Sequence, residues 1–173
     1  HYLRRTVLPS LLDKVNANVR AGYGQFALFE IGKGHKKAAG VDEQGVPIEQ
    51  QYLSLALSSG GFYQAKAFTE FIAKELGLQV EYVPVENGKL FEPKRSALLK
   101  VGDDIIGAVG EYRSAIRRNF KLPDQAAGFE IDFDKLLALT HYAQETYRPL
   151  SKFPSAERDV TLKVASAVTY EEV

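Results

Sequence analysis

Three carboxylates at alternate positions, Glu130, Asp132 and Asp134, are the strongest candidates for chemistry in this chain. In a strand all three side chains share one face, where they could ligate a divalent cation or divide into acid and base. Three like charges on one face also cost stability, so a metal, a basic partner or open solvent must relieve them. The bland alternative is a solvated face on which Asp134 caps a following helix through Leu139, its carboxylate accepting bonds from first-turn N–H groups.

Two basic groups come next. Lys33, Lys36 and Lys37 surround His35, and Arg113, Arg117 and Arg118 sit on a short predicted helix. Either could touch phosphate. No aromatic side chains interleave with Lys36 and Lys37 as stacking platforms require, so they read as solvated loop lysines. Arg117 and Arg118 fit the outer face of an amphipathic helix equally well.

Other chemistry is missing. His1, His35 and His141 lack ligand spacing, and neither a G-x-S-x-G nor a glycine-rich phosphate loop ending in Lys-Ser or Lys-Thr occurs. Gly107 and Gly110 read as close packing or a bulge inside a strand. Lys plus Arg and Asp plus Glu both total 22, so no field of one sign gathers nucleic acid or an anionic membrane.

The elements that must position these groups follow from periodicity. Leu8, Leu11, Leu12, Val15 and Val19 recur at helical spacing, with Pro9 in a first turn and Gly22 at the end. Residues 25–31 read as a strand with much of both faces covered, and residues 34–50 as a polar loop. Residues 52–58 alternate like a strand with one apolar face. Ala67, Phe68, Phe71, Ile72 and Leu76 mark a second helix stopped by Gly77, and residues 78–83 a strand. Residues 97–111 read as a hairpin turning at Gly102-Asp103-Asp104, residues 114–120 as a helix stopped before Pro123, and residues 129–133 as a strand. Strands joined by hairpins with helices between them give an α+β domain on a mainly antiparallel sheet.

At 173 residues with 45% apolar content, one main domain is expected. The absence of cysteine rules out disulfides and thiolate metal sites and fits a reducing, cytoplasmic setting. No apolar run approaches the roughly 20 residues of a membrane helix. The lack of methionine, including an initiator, reads as a piece of something longer. Near Pro149 a linker-like stretch begins, and residues 159–164 read as the first strand of a second domain.

Several phrases resemble the β subunit of bacterial phenylalanine–tRNA ligase, in order: Leu3-Arg4-Arg5-Thr6 with Leu8-Pro9-Ser10-Leu11-Leu12, Leu28-Phe29-Glu30-Ile31-Gly32, Arg95-Ser96-Ala97, Ile106-Gly107-Ala108-Val109-Gly110-Glu111, Phe129-Glu130-Ile131-Asp132, and Leu150-Ser151-Lys152-Phe153-Pro154 through Arg158-Asp159. The resemblance implies a fold like that of class II aminoacyl-tRNA synthetases over residues 1–148, in a non-catalytic copy truncated at its N-terminal end. Residues 149–173 would open a ferredoxin-like anticodon-binding domain. It also implies a catalytic α partner in a two-plus-two heterotetramer, with ATP and magnesium held outside this segment and tRNA bound by the whole enzyme.

An active relative needs an arginine on the ATP phosphate and a Gly-x-Gly-x-x-Arg motif. The resemblance sets Gly32-Lys33-Gly34-His35-Lys36-Lys37 at the first position, where lysines replace the arginine fork. It sets Glu130-Ile131-Asp132-Phe133-Asp134-Lys135 at the second, where carboxylates replace glycines. Carboxylates facing a triphosphate repel it by roughly 1 kcal/mol or more per close pair, so the segment is expected to hold no catalytic, cofactor or metal residue. Two rivals stay open: a metal-dependent enzyme built on Glu130, Asp132 and Asp134, and an RNA-binding module built on Arg113, Arg117 and Arg118.

Overall fold

The computed structural model describes residues 3–35, 40–86, 88–140, 161 and 163. Contacts divide the chain into His1–Ala143 and Gln144–Val173, and every element named below lies in the first unit. The linker and strand expected from residue 149 onward fall outside the described residues, apart from residues 161 and 163, which carry no regular structure.

The first helix, α1 (Leu8–Arg20), buries Leu8, Leu11, Leu12 and Val15, the stripe that the 3.6-residue repeat prescribes. Its N-cap is Val7, whose side chain cannot accept a hydrogen bond, so the first-turn N–H groups need a partner from elsewhere. The strands β1 (Ala27–His35) and β2 (Glu49–Leu57) form a hairpin. Within its loop, Asp42 Oδ1 accepts from the backbone of Gln44 and Val46, 2.9 Å each, and closes a tight turn.

Helix α2 (Gly61–Glu75) buries Gly61, Ala65, Thr69 and Ala73, small residues four apart that let the helix lie close to the sheet. It ends at Gly77, whose φ of +66° allows Leu78 N–H to reach Ala73 O at 2.8 Å. That bond holds Leu78 in the helix cap, so the strand read over residues 78–83 starts later, as β3 (Glu81–Pro84). Then follow β4 (Phe91–Val101), β5 (Asp104–Tyr112), α3 (Ser114–Phe120), β6 (Ala127–Asp132) and α4 (Phe133–Leu139).

All six strands join one antiparallel sheet in the order β1-β2-β6-β5-β4-β3, which makes the architecture α+β. Helices cover both faces. On one face α2 and α4 bury Leu55, Val109, Phe129 and Ile131; on the other α1 buries Ala56, Phe91 and Tyr112. The polar-looking set Tyr52 and Ser54 in β2, with Ser58 just past its end, is therefore as buried as Leu55 and Leu57, because α1 lies over β2. Gly128 allows this tight stacking: an added Cβ would collide with Tyr112 Oη and Leu55 O.

The reading of β1 as covered on both faces is corrected by its place at the sheet edge. Phe29 is 72% exposed and Ile31 48% exposed, since α2 and α4 pack over β2, β6 and β5 and β1 lies beyond them.

Candidate functional site

The strand register brings the chemistry together. Glu30 pairs with Ser54, Ser54 with Glu130, Glu130 with Ala108, and Ala108 with Leu98, one row across five strands on the α1 face. Tyr52 and Asp132 form the neighbouring pair on the same face. Alternation along β6 thus places Glu130 and Asp132 side by side as the sequence implied.

Asp134 does not join them. Strand β6 ends at Asp132, and α4 begins at Phe133, so Asp134 stands in a first helical turn with Oδ2 accepting from Gln51 N–H at 3.0 Å. The cap of α4 is Asp132, whose Oδ1 accepts from Lys135 N–H at 3.1 Å, and the expectation of Asp134 in that role is corrected. The geometry follows from extended backbone at Asp132 (ψ 103°), which a cap residue needs and which residue 134 has already left behind.

Glu130 has the more distant role. Its Oε2 accepts from Leu8 N–H at 3.2 Å and from the Ser54 hydroxyl at 2.8 Å. The orphan N-terminus of α1 is therefore capped by a carboxylate 122 residues away in sequence. Each acid of the β6 pair faces the positive end of a helix. Their mutual repulsion is relieved inside the fold by backbone dipoles, a route other than the metal, basic partner or open solvent weighed from sequence. Among the described residues no group of three or more His, Asp or Glu side chains is arranged to hold a metal ion.

Five residues that sequence reasoning did not single out, Arg4, Glu30, Gln50, Tyr52 and Ser54, complete the site. Gln50 donates its side-chain amide to Asp132 Oδ2 and accepts from Tyr52 Oη at 2.7 Å. Arg4 pairs with Glu30 at 2.8 Å and donates to Lys33 O at 2.9 Å, tying the segment before α1 to β1. Their sequence signal was faint: Glu30 is the one charge inside an apolar run, and Tyr52 and Ser54 lie on the polar side of an alternating strand.

A second carboxylate repeats the device on the opposite face. Glu111 in β5 is 7% exposed, and its Oε1 accepts from Phe62 N–H at the start of α2, 3.3 Å away. Arg95 Nη1 stands 2.8 Å from Oε2, close enough for an ion pair but not directed along an N–H, so that oxygen receives no hydrogen bond.

The basic groups are mostly spent on structure. Arg113 donates to Gly88 O and Arg117 to Tyr112 O, both at 2.9 Å, and Arg118 projects from α3 into solvent. Lys33 pairs with Glu49 at 2.5 Å, which raises the lysine pKa and lowers that of the carboxylate through their hydrogen bond. His35 Nε2 lies 3.9 Å from the same carboxylate. Lys36 and Lys37 fall outside the described residues.

Between the acid pair and the half-buried side chains of β4 and β5 lies an open cavity of about 450 Å³. Its floor includes Phe91, Leu98 and Ala108, one wall carries Tyr52, Glu130 and Asp132, and Lys135 stands at the rim. Its acidic wall is wrong for a phosphate chain.

The six-stranded antiparallel sheet and its helices have the fold of class II aminoacyl-tRNA synthetase domains. The pyrrolysyl-tRNA synthetase of Desulfitobacterium hafniense superposes on 78% of this chain and 48% of its own with a TM-score of 0.62, at 16% identity, a likeness of fold alone. The chain belongs to the family of the phenylalanyl tRNA synthetase beta chain CLM domain, whose sequence model matches residues 1–133. Relatives include the phenylalanine–tRNA ligase β subunit of Staphylococcus saprophyticus, 31% identical over 95% of this chain, and that of Streptococcus pyogenes serotype M28, 27% identical over 99%. The chain spans 22% of the length of each of these relatives. It therefore corresponds to a region of the β subunit of a ligase.

Proposed function

We propose that this segment is a non-catalytic, synthetase-like domain that supports the catalytic α subunit of phenylalanine–tRNA ligase in the cytoplasm. Its family membership carries the reading. The whole enzyme joins phenylalanine to tRNA with ATP and magnesium, in a two-α, two-β assembly, and those ligands belong to sites outside this segment. The acid pair Glu130 and Asp132 supports that division, because it occupies the face where a triphosphate would need donors and positive charge. Exposed apolar groups such as Phe29 and Ile31 supply surface a partner could cover.

The test is co-purification of the α subunit with this chain, together with calorimetry against ATP. Retention of the α subunit with no ATP heat is the expected result. Failure to retain it, or micromolar ATP affinity in this chain alone, overturns the reading. Direct tRNA contact through Arg113, Arg117 and Arg118 is the second reading. Only Arg118 is exposed without a backbone carbonyl to bind among the bonds described, so an Arg118→Ala change would carry most of any loss.

A further inference from the structure

The cavity over β5 and β4 is built in a way that selects a ligand. Helix α1 packs mainly over β2 and β1 and leaves the far end of the Glu30, Ser54, Glu130, Ala108, Leu98 row uncovered. Small side chains on β5 deepen that end: Ala108 points into it and Gly107 lies against the backbone of Glu130. The result is an apolar floor beside an acidic wall. Among its charged lining groups Glu130 and Asp132 are negative and Lys135 positive, and the Lys135 ammonium is turned toward Ile105 O at 3.4 Å and Asp104 at 3.9 Å.

We propose that this cavity binds small primary amines that carry an apolar body and no carboxylate. A carboxylate offers about four acceptor sites, and the bonds described at Asp132, from Gln50 and Lys135, use two of them. An ammonium group brings three donors and no acceptor, matching the carboxylate oxygens of Asp132 on that wall. Its stem covers Leu98, Ala108 and Phe91, releasing water from apolar surface. A volume of about 450 Å³ lies within the range of roughly 300–1,000 Å³ that small-molecule sites occupy. An α-amino acid carries its own carboxylate toward Glu130 and Asp132 and is rejected by like charge. The inference rests on the non-catalytic reading in one respect, that this face has exchanged affinity for anions for affinity for cations.

The experiment is a titration of the 173-residue chain with phenethylamine, followed through backbone amide NMR shifts, with phenylalanine, phenylpropionate and ATP as parallel arms. Saturable shifts at Gly107, Ala108 and Asp132 are expected from the amine, with phenylalanine at least about tenfold weaker. Asp132→Asn should weaken amine binding by about tenfold. Because Asp132 also caps α4, Ala108→Leu serves as the second variant, filling the hollow and abolishing binding with every carboxylate intact. Amine shifts that are absent, that phenylalanine reproduces at equal affinity, or that survive Ala108→Leu overturn this inference and leave the non-catalytic reading standing. Saturation of the same amides by ATP overturns both.

Discussion

Glu130 Oε2 lies 3.2 Å from the backbone nitrogen of Leu8, so a sheet carboxylate closes the start of a helix whose own N-cap, Val7, cannot. This one contact ties the first described helix to the last strand. It also fixes a negative charge on the α1 face of the sheet, beside Asp132.

Removing that carboxylate should loosen α1. Glu130→Ala deletes the bonds from Leu8 and Ser54 and is expected to cost about 1–3 kcal/mol. Glu130→Gln keeps an acceptor oxygen and should cost less. Thermal unfolding followed by circular dichroism ranks the two, and equal melting temperatures for both variants and the parent chain would refute the cap.

Gly128→Ala tests the close stacking of β6 under Tyr112. The new methyl would meet Tyr112 Oη and the rigid backbone oxygen of Leu55, and a loss of about 2–3 kcal/mol or more is expected. Gly24→Ala, with nothing within 4 Å of the added carbon, is the control and should leave stability nearly unchanged. Urea midpoints of the two variants separate packing from general intolerance.

Tyr112 makes the fold sensitive to alkali. Burial, and secondarily the Glu130 charge, push its pKa well above the ordinary 10.0. The unfolded chain then loses this proton first, so the contribution is complete below about pH 10 and falls by about 1.4 kcal/mol per pH unit above it. Tyr112→Phe removes one proton from that linkage. Its stability should be near that of the parent at pH 7 and decline less steeply between pH 10 and 11; parallel declines would contradict the assignment.

Phe29 and Phe129 offer a contrast on one row of the sheet, since both pair with Leu55. Phe129 is fully buried and Phe29 is 72% exposed. Phe129→Ala is expected to cost about 3–5 kcal/mol, and Phe29→Ser within about 0.5 kcal/mol. Under the proposed function, Phe29→Ser should instead weaken retention of the α subunit. A Phe29 variant that unfolds like the Phe129 variant would contradict the exposure of Phe29 at the sheet edge.

The local elements were legible because their signals are local. Leu8, Leu11, Leu12 and Val15 announce α1 through their spacing, Gly77 announces the end of α2, and alternation at Glu130 and Asp132 puts both acids on one face. Family phrases spread along the chain carried the fold class, which the antiparallel sheet and the likeness to a solved tRNA synthetase bear out. What relieves the acid pair was not legible. A helix dipole has no sequence mark at its partner, and the bond from Leu8 to Glu130 spans 122 positions. The exposure of Phe29 and the shift of the cap from Asp134 to Asp132 have the same origin. Side-chain period fixes which face a residue takes, whereas strand order and the point where β6 gives way to α4 decide what, if anything, lies against that face.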